Sequence, residues 1–258
     1  MPPGEVVEIG RDVSGIKPGD RVMGRCGGGF AEFALLDARE VMPAPERLSW
    51  QERPDRLCGG SRRSLRERPA ASRRDGAGHC GAVRCWGYLL LAKFLGAKVI
   101  GTSRSADKLE RLKAHGLDVG IATGSEGFGE ALSRAIGADG VDMVVDNIGA
   151  EVLAPCLNAL AVGGRFVTIG RMSGVTKSEL DVDRLAERRL HLYGVSNRLR
   201  TPAQRTESAK RFLADLLPAL GDGRLRPVID RSFPLDRIAA AGAYLEADKH
   251  VGKVVIEI

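Results

Sequence analysis

The chain has 258 residues, of which 43% are hydrophobic and 28% charged, so it is long enough for one large domain or two. No apolar run approaches membrane-spanning length and no secretory leader opens the sequence, so we expect a cytoplasmic protein without a membrane partner. The net charge of +6 is uneven, because residues 52–85 hold nine arginines against four acids. The remainder is close to neutral and has no basic helix face with interleaved aromatic residues, which argues against nucleic acid as a partner.

The cysteines and histidines do not predict a metal site. Five cysteines are too few and too irregular for a disulfide framework, and none forms a CxxC pair typical of a zinc lobe. The four histidines lie far apart in sequence without ligand spacing. We therefore expect free thiols and no bound metal. These residues are Cys26, Cys58, Cys80, Cys85, Cys156, His79, His115, His191 and His250.

The first fifty residues have the pattern of β structure. Alternation over 5–10, a turn entering a strand over 16–22 and an apolar run over 30–36 predict short strands. Because the chain opens directly in a strand, this segment has the pattern of the end of a domain whose beginning is absent.

Residues 52–85 differ from their surroundings. They show neither helical nor strand periodicity and contain three of the five cysteines, which is typical of a basic irregular loop. The run Gly76-Ala77-Gly78-His79-Cys80-Gly81 matches the G-x-G-x-x-G pattern of dinucleotide-binding turns. No buried strand precedes it, however, so we interpret the match as a coincidence.

Strands alternate with helices in the remainder of the chain. An apolar helix before Gly96, a strand over 98–101, a helix over 106–115 and a strand over 141–145 predict a parallel sheet with crossover helices. Further along we expect helices over 153–160, 181–187, 201–220 and 235–245, and strands over 165–170, 190–195, 226–229, 231–235 and 251–258.

Two groups of residues at strand ends are candidates for a binding site. Thr102, Ser103 and Arg104 follow one strand, and Lys108 lies one helical turn later. In a dinucleotide fold, an acid at this place selects NAD, whereas hydroxyl groups with a cation favour the extra phosphate of NADPH. The alternative is a solvated helix start in which Ser103 or Ser105 is only the N-cap.

The second group closes two later strands. Asp146-Asn147-Ile148-Gly149 and Thr168-Ile169-Gly170 are polar or glycine breaks at strand C-termini, where ligands bind in parallel sheets. Each break alone is equally consistent with an ordinary turn. On successive strands they predict one crevice.

Taken in order, these segments resemble the medium-chain dehydrogenase/reductase superfamily, and within it the zinc-independent NADPH quinone oxidoreductases of the zeta-crystallin type. The matching segments are GEVVEIGRDVSGIKPGDRVMG, GGGFAEFALLD, LAKFLGAKVIGTSRSADKLERLKAHG, GVDMVVDNIGAEVL, LAVGGRFVTIG, GRLRPVIDRSFPLDRI and HVGKVVIEI. The resemblance covers most of 1–50 and nearly all of 89–258.

The resemblance implies an α/β protein with a Rossmann doubly wound parallel sheet and a partial GroES-like β-rich catalytic domain built from both chain ends. The implied domains are a GroES-like remnant (1–50), an irregular segment (51–88), an NADPH-binding Rossmann domain (89–222) and a return to the catalytic domain (223–258). The family transfers hydride from NADPH to a small quinone-like acceptor or another electron-poor carbonyl or alkene. Homodimers often form through Rossmann edge strands, here the regions 166–170 or 190–195.

The resemblance also assigns the cofactor-binding residues but no catalytic residue. Ser103, Arg104 and Lys108, next to Thr102, would hold the 2′-phosphate of NADPH, and a second set would line the cofactor cleft. This second set is Asn147, Gly149 and Gly170. The zinc-binding members carry a four-cysteine lobe, whereas this chain has only Cys26 near the corresponding segment, which favours the zinc-free branch.

Two departures from the family pattern leave alternatives open. The family has a further half-domain before GEVVEIG, and residues 52–85 replace its first Rossmann strand and phosphate turn, whose last glycine would fall near Cys85. A reading-frame disruption in the gene explains such an arginine-rich, lysine-free stretch. An inactive relative, an enoyl or alkenal reductase and a crystallin-like structural role therefore remain alternatives.

Overall fold

The computed structural model describes residues 3–52, 86–123, 127–196 and 198–258. The described residues form two compact units. One contains the described residues before 53 and after 197, and the other contains those from 86 to 196. The G-x-G-x-x-G match and residues 53–85 of the predicted irregular segment lie outside the described residues. The prediction was wrong for the end of that segment, because Trp86, Gly87 and Tyr88 belong to a helix.

The helices and strands follow one another along the chain in the order that the sequence predicts for most of its length. The strands are β1 (Pro3–Glu5), β2 (Arg21–Met23), β3 (Met42–Pro43), β4 (Ile100–Ser103), β5 (Val119–Ala122), β6 (Val141–Asp146), β7 (Leu160–Thr168), β8 (His191–Gly194), β9 (Ile229–Pro234) and β10 (Lys253–Glu257). The α-helices are α1 (Trp86–Phe94), α2 (Ala106–Lys113), α3 (Phe128–Ile136), α4 (Leu153–Ala159), α5 (Val182–Glu187), α6 (Pro202–Asp215), α7 (Leu217–Gly221) and α8 (Ile238–Glu246).

The central unit is built from parallel strands joined by helices. β4 pairs with β5, and β6, β7 and β8 form a three-stranded sheet in that order. Since every one of these pairs is parallel, the C-terminal ends of neighbouring strands lie at the same edge. Asp146 at the end of β6 pairs with Thr168 at the end of β7, which fixes the register there.

Two apolar clusters hold the helices of this unit against its strands. One joins β6, β7 and α4 and contains Val144, Leu157 and Phe166, while the other joins Ile100 of β4 to Ile121 of β5. Phe128 and Ile136 of α3 pack against both clusters. The pair β4–β5 and the sheet β6–β7–β8 therefore share one helix as a common packing partner.

The other unit combines the two ends of the chain. β1, β2 and β3 form an antiparallel sheet. β9 and β10, which precede and follow α8 in the sequence, pair with each other in parallel. Glu40 is buried and accepts a hydrogen bond from Nε of Arg205 on α6 at 2.6 Å. This ion pair fastens the N-terminal segment to the C-terminal half of the unit.

Several predicted elements are confirmed with small changes in their bounds. Helix α1 ends before Gly96, which has a φ of +80° as expected for a residue that terminates a helix. Leu109 and Leu112 are buried on one face of α2. Strand β6 and helices α4 and α5 lie where the apolar spacing places them.

The prediction was wrong at five other places. The strands expected over 226–229 and 231–235 are one strand, β9, which begins at Ile229. Strand β4 runs to Ser103, so Thr102 and Ser103 belong to the strand and not to the turn after it. The strand at the N-terminus covers 3–5 and does not continue to 10. In the described part of the 30–36 run, only Leu36 makes a β-bridge, with Cys26, because the run lacks the alternation of a half-buried strand. The helix expected over 201–220 is interrupted at Leu216, since Pro218 lacks the N–H that a continuous helix needs.

Strand β5 and helix α3 were not predicted at all. β5 is only four residues long and contains Gly120, whose absent side chain leaves room for Leu109. α3 begins after Gly127 without a side-chain cap, so the usual start signal is missing. Among the described residues, no helix is long and apolar enough to cross a membrane.

Candidate cofactor-binding site

The first candidate group lies where β4 ends and α2 begins. Thr102 is buried within the strand, Ser103 is half-buried and Arg104 is exposed. Ser103, the last residue of β4, and Arg104, the residue after it, therefore present a hydroxyl and a guanidinium at the C-terminal edge of the strand. These two groups are hydrogen-bond donors, and such a pair suits an anion, although the carboxylate of Asp107 follows in the first turn of α2.

The two serines of this turn have different roles. The Ser105 hydroxyl is the N-cap of α2 and accepts a hydrogen bond from the Lys108 N–H at 3.3 Å. The Ser103 hydroxyl accepts from the Ser105 N–H at 3.1 Å. That contact uses a lone pair of the Ser103 oxygen and not its proton, so the hydroxyl can still donate to an anion.

Lys108 differs from Arg104 in its surroundings. Its side chain is only 7% exposed and lies in the first turn of α2, whereas Arg104 is in solvent. An exposed guanidinium can approach an incoming phosphate without desolvating another group first. The geometry therefore gives Arg104 the more direct access of the two cations.

The second candidate group surrounds Asp146, the last residue of β6. Asp146 is 2% exposed, and its Oδ1 accepts hydrogen bonds from the N–H groups of Ile148 at 2.8 Å and Gly149 at 3.2 Å. The Thr168 hydroxyl donates to the same carboxylate from the end of β7. One side chain thus holds both strand ends that the sequence predicts to form a crevice.

Close backbone approaches require glycine at two positions of the crevice. A Cβ at Gly170 would lie 2.8 Å from the carbonyl oxygen of Asn147 and 2.9 Å from its Oδ1. Gly149 has a φ of +120°, and a Cβ there would meet the Val175 carbonyl oxygen at 2.9 Å. The predicted residues Asn147, Gly149 and Gly170 are therefore in mutual proximity, with the turn after β6 packed directly against the end of β7.

A loop after β7 is hydrogen-bonded along this turn. The N–H groups of Met172 and Ser173 donate to the carbonyls of Asn147 at 3.1 Å and Ile148 at 2.9 Å. A third hydrogen bond runs in the opposite direction, since the Val175 carbonyl accepts from the Ala150 N–H at 3.1 Å. The loop itself is exposed, so its position depends mainly on these backbone bonds.

Burial sets the electrostatics of the crevice. It raises the pKa of the Asp146 carboxyl above its ordinary value, although the N–H groups of Ile148 and Gly149 and the Thr168 hydroxyl act in the opposite direction. Burial likewise raises the pKa of the Cys156 thiol, and the nearby Asp146 adds to that shift. Cys156 is therefore a neutral thiol at physiological pH and part of the core.

The sequence analysis did not select Asp146 or Thr168 as site residues. It noted both as parts of polar strand ends and chose their neighbours Asn147 and Gly170 instead. The signal that identifies Asp146 is an acid that closes the apolar run Val141–Val145, where a charged residue is seldom buried without partners. Thr168 could be identified only from the register of β6 and β7.

The predicted residues thus fall into two local groups. One lies at the end of β4 and contains Thr102, Ser103, Arg104 and Lys108, and the other lies at the ends of β6 and β7. The expected phosphate turn near Cys85 lies outside the described residues. Among those that the structure describes, no three His, Cys, Asp or Glu side chains are placed to hold a metal ion.

Comparison with protein families gives two matches. The zinc-binding dehydrogenase family matches residues 115–256, which is more than half of the chain. The alcohol dehydrogenase GroES-like domain matches residues 3–46. The first match covers the α/β unit from residue 115 onward and the C-terminal part of the other unit, and the second match covers the β-rich N-terminal segment.

Comparison with curated proteins finds relatives of two kinds. The chain is 31% identical over 268 residues to the spectinabilin polyketide synthase system protein NorB of Streptomyces orinoci, covering 98% of this chain but only 11% of that protein. It is 27% identical over 262 residues to the quinone oxidoreductase-like protein 2 of Bos taurus, covering 99% of this chain and 74% of that protein. The chain therefore corresponds to a small part of the first relative and about three quarters of the second.

Solved structures show the same fold. An NAD-dependent alcohol dehydrogenase is 26% identical with a TM-score of 0.76, covering 99% of this chain and 81% of that one. The mycobacterial protein Rv1454c in complex with NADPH is 24% identical with a TM-score of 0.80, covering 99% and 80%. The predicted combination of a Rossmann sheet with GroES-like β structure is confirmed.

Proposed function

Since the chain belongs to the zinc-binding dehydrogenase family of the medium-chain dehydrogenase/reductase superfamily, a family of oxidoreductases, we propose that it is an NADPH-dependent oxidoreductase whose acceptor is a quinone or another electron-poor carbonyl or alkene. The main observation in support of this proposal is the set of side chains at the end of β4. An exposed Arg104 and a half-buried Ser103 hydroxyl stand where NAD-selective members of such folds have an acid.

The residues of both candidate groups fit this cofactor. Ser103 and Arg104 supply a donor and a positive charge for a ribose phosphate, and Lys108 adds a second cation in the first turn of α2. The crevice at Asn147, Gly149 and Gly170 brings backbone close together without side-chain bulk, which suits a flat ligand group lying against it. When bound, NADPH supplies the hydride, and the chain binds and orients it.

A quinone acceptor is supported by the quinone oxidoreductase-like relative, of which this chain covers 74%. The proposed reaction needs no metal, in keeping with the expected zinc-free branch. The small-molecule acceptor is the partner that we propose, and the protein would act as a homodimer. The exposed side chains of Leu192 and His191 on β8 mark a strand edge at which a second copy could pair.

The first experiment is a titration of the purified chain with NADPH and with NADH, followed by the fluorescence of the bound nucleotide. Saturable binding that is tighter for NADPH supports the proposal, and NADPH oxidation with a benzoquinone or naphthoquinone then tests the acceptor. Tighter binding of NADH contradicts the proposed role of Ser103 and Arg104. No binding by a chain that is folded according to circular dichroism favours the inactive relative.

An enoyl reductase is the second candidate. Several polyketide synthases align with 98–99% of this chain, although the chain covers only 4–12% of their length. This full alignment supports reduction of a carbon–carbon double bond conjugated to a thioester. Parallel assays with a quinone and with an enoyl thioester, both at saturating NADPH, decide between the acceptors by the ratio of kcat/KM.

The assignment of domains also remains a proposal. The compact unit of the chain ends includes the described residues from 198 to 222, which the sequence analysis placed in the Rossmann domain. Limited proteolysis in the presence of NADPH tests the boundary. Protection confined to fragments within 89–222 supports the assignment from sequence, and a ligand-protected fragment ending near 197 supports the other.

A further inference from the structure

We infer that Asp146 is a positioning residue that holds the cofactor-binding turn through the hydrogen bonds of its carboxylate. The inference rests on the proposed function, because it takes NADPH as the ligand. The hydrogen bonds from which it is argued lie within this chain. Asp146 does not need to touch the cofactor. It fixes the backbone of Asn147, Ile148 and Gly149 in one arrangement against the end of β7.

The contacts of Asp146 connect three chain segments. Its side chain accepts from the N–H groups of Ile148 and Gly149, and its own carbonyl accepts from the N–H groups of Ile169 at 2.8 Å and Gly170 at 3.4 Å. The Thr168 hydroxyl completes the set. The turn after β6 and the end of β7 therefore meet at this one residue.

The connection extends to the neighbouring strand and the loop. The Val195 N–H, just after β8, donates to the Thr168 carbonyl at 3.0 Å. The exposed 171–175 loop lies on the carbonyls of Asn147 and Ile148, whose positions the Asp146 carboxylate sets. We therefore expect a change at Asp146 to affect the turn after β6, the end of β7 and the 171–175 loop.

The acid at this position carries a cost, because its carboxyl group is buried. Ionising a carboxyl that is 2% exposed costs free energy, and in the described surroundings the contacts that offset this cost are backbone N–H groups and a hydroxyl. A neutral amide of the same shape would avoid that cost and could keep the contacts with Ile148 and Gly149. The contacts that shape the turn therefore need an acceptor oxygen at this position, and the carboxylate provides it.

The test compares Asp146→Ala, Asp146→Asn and Thr168→Val with the control Asp181→Asn. Asp181 is a matched carboxylate, since its Oδ1 accepts from the Arg184 N–H at 2.9 Å as the N-cap of α5, away from the crevice. The readouts are the dissociation constants for NADPH and NADH, the melting temperature and amide hydrogen exchange without nucleotide.

We expect Asp146→Ala to weaken both nucleotides by about tenfold or more, with the ratio between them unchanged, because two N–H groups lose their acceptor. Asp146→Asn should rescue binding to within about threefold at an equal or higher melting temperature, since its Oδ1 can accept the same bonds. Asp181→Asn should leave both affinities at the wild-type value. Exchange should increase in the 146–150 and 168–175 peptides of Asp146→Ala and not in α2.

Unchanged affinity in Asp146→Ala, or equal losses in the Asn and Ala variants, overturns the inference. If Asp146→Ala does not fold, Thr168→Val decides, because it removes only the hydroxyl donor. It should weaken both nucleotides and lower the melting temperature, because the buried carboxylate loses a donor, and wild-type affinity overturns the inference. If the wild-type chain binds neither nucleotide, the proposed function fails, and hydrogen exchange alone then decides whether Asp146 holds the turn.

Discussion

The end of β4 and the ends of β6 and β7 are built in different ways, although both are strand C-termini of one parallel unit. At β4 the candidate residues present side chains, and Arg104 extends into solvent beside a conventional helix cap. At β6 and β7 the candidate residues are packed backbone, with Asn147 and Gly149 buried and held by an internal carboxylate. Under the proposed function, this comparison leads us to propose that the first region selects between cofactors by charge and that the second determines by shape whether any cofactor is bound.

The largest effect should come from adding a methyl group in the backbone region. Gly170→Ala places a Cβ 2.8 Å from the carbonyl oxygen of Asn147, which is closer than real Cβ contacts allow. We expect a loss of about 1–3 kcal/mol in the free energy of unfolding, typical of overpacking, together with loss of detectable NADPH and NADH binding. Urea unfolding and nucleotide titration measure the two quantities.

The control for this variant is Gly194→Ala at the end of β8. A Cβ at Gly194 would meet nothing within 4 Å, so the same substitution should leave both stability and affinity near the wild-type values. If Gly170→Ala binds NADPH as well as Gly194→Ala does, the crevice does not depend on its close backbone approach.

Removing a positive charge at the end of β4 should have a smaller effect, and one that is selective for NADPH affinity. Arg104→Gln takes away an exposed guanidinium, and we expect NADPH affinity to fall about ten- to hundredfold, as charged hydrogen bonds are worth about 1.5–3 kcal/mol. NADH affinity and the melting temperature should not change. Titration with both nucleotides gives the ratio directly.

Lys113→Gln is the matched control for Arg104. Lys113 is an exposed cation on α2 whose Nζ pairs with Glu110 at 2.5 Å, a turn or more from the start of the helix. Its removal should leave the NADPH-to-NADH ratio at the wild-type value. An equal fall in NADPH affinity in both variants would mean that general surface charge, and not the place of Arg104, attracts the phosphate.

The sequence predicted more about the end of β4 than about the ends of β6 and β7. The end of β4 could be identified because its signal is local, namely hydroxyl groups and a cation near the end of a strand. The bounds of that strand moved from the predicted 98–101 to Ile100–Ser103, which places Thr102 and Ser103 inside it. Asn147 and Gly170 were predicted to line one crevice, but how closely they approach depends on the pairing of β6 with β7, which leaves a Cβ at Gly170 only 2.8 Å from the Asn147 carbonyl oxygen. No single segment contains that pairing.

The role of Asp146 was missed for the same reason. Its partners include its own turn, which is local, and Thr168 and Gly170, which are more than twenty residues away. Strand β5 was missed because a four-residue strand with a central glycine has little periodicity of its own. Local chemistry was thus readable from the sequence, while contacts set by the register of the sheet were not.

The smallest predicted effect concerns pH, and it contrasts Asp146 with a second acid of the same unit. Asp118 lies before β5 and accepts from the Val99 N–H at 2.6 Å and from Lys93 Nζ at 2.9 Å. Burial alone would raise the pKa of Asp118, but the Val99 N–H and the Lys93 ammonium outweigh it, so this pKa is lowered. The pKa of Asp146, which has no such cation among its described hydrogen-bond partners, is raised.

These opposite shifts give opposite signs for stability. The folded chain binds the Asp146 proton more tightly than the unfolded chain does. The stability that this group contributes is therefore complete below pH 3.8, the ordinary pKa of an aspartate, and is lost as the pH rises through the raised pKa of the folded state. For Asp118 the stability is full above 3.8 and is lost as pH falls through the lowered value. From pH 3 to pH 7, Asp146→Asn should therefore gain stability relative to the wild type, while Asp118→Asn should lose it. Melting temperatures across this range give both slopes, and slopes of the same sign would mean that the crevice carboxylate is stabilised like an ordinary surface acid and carries no cost for its position.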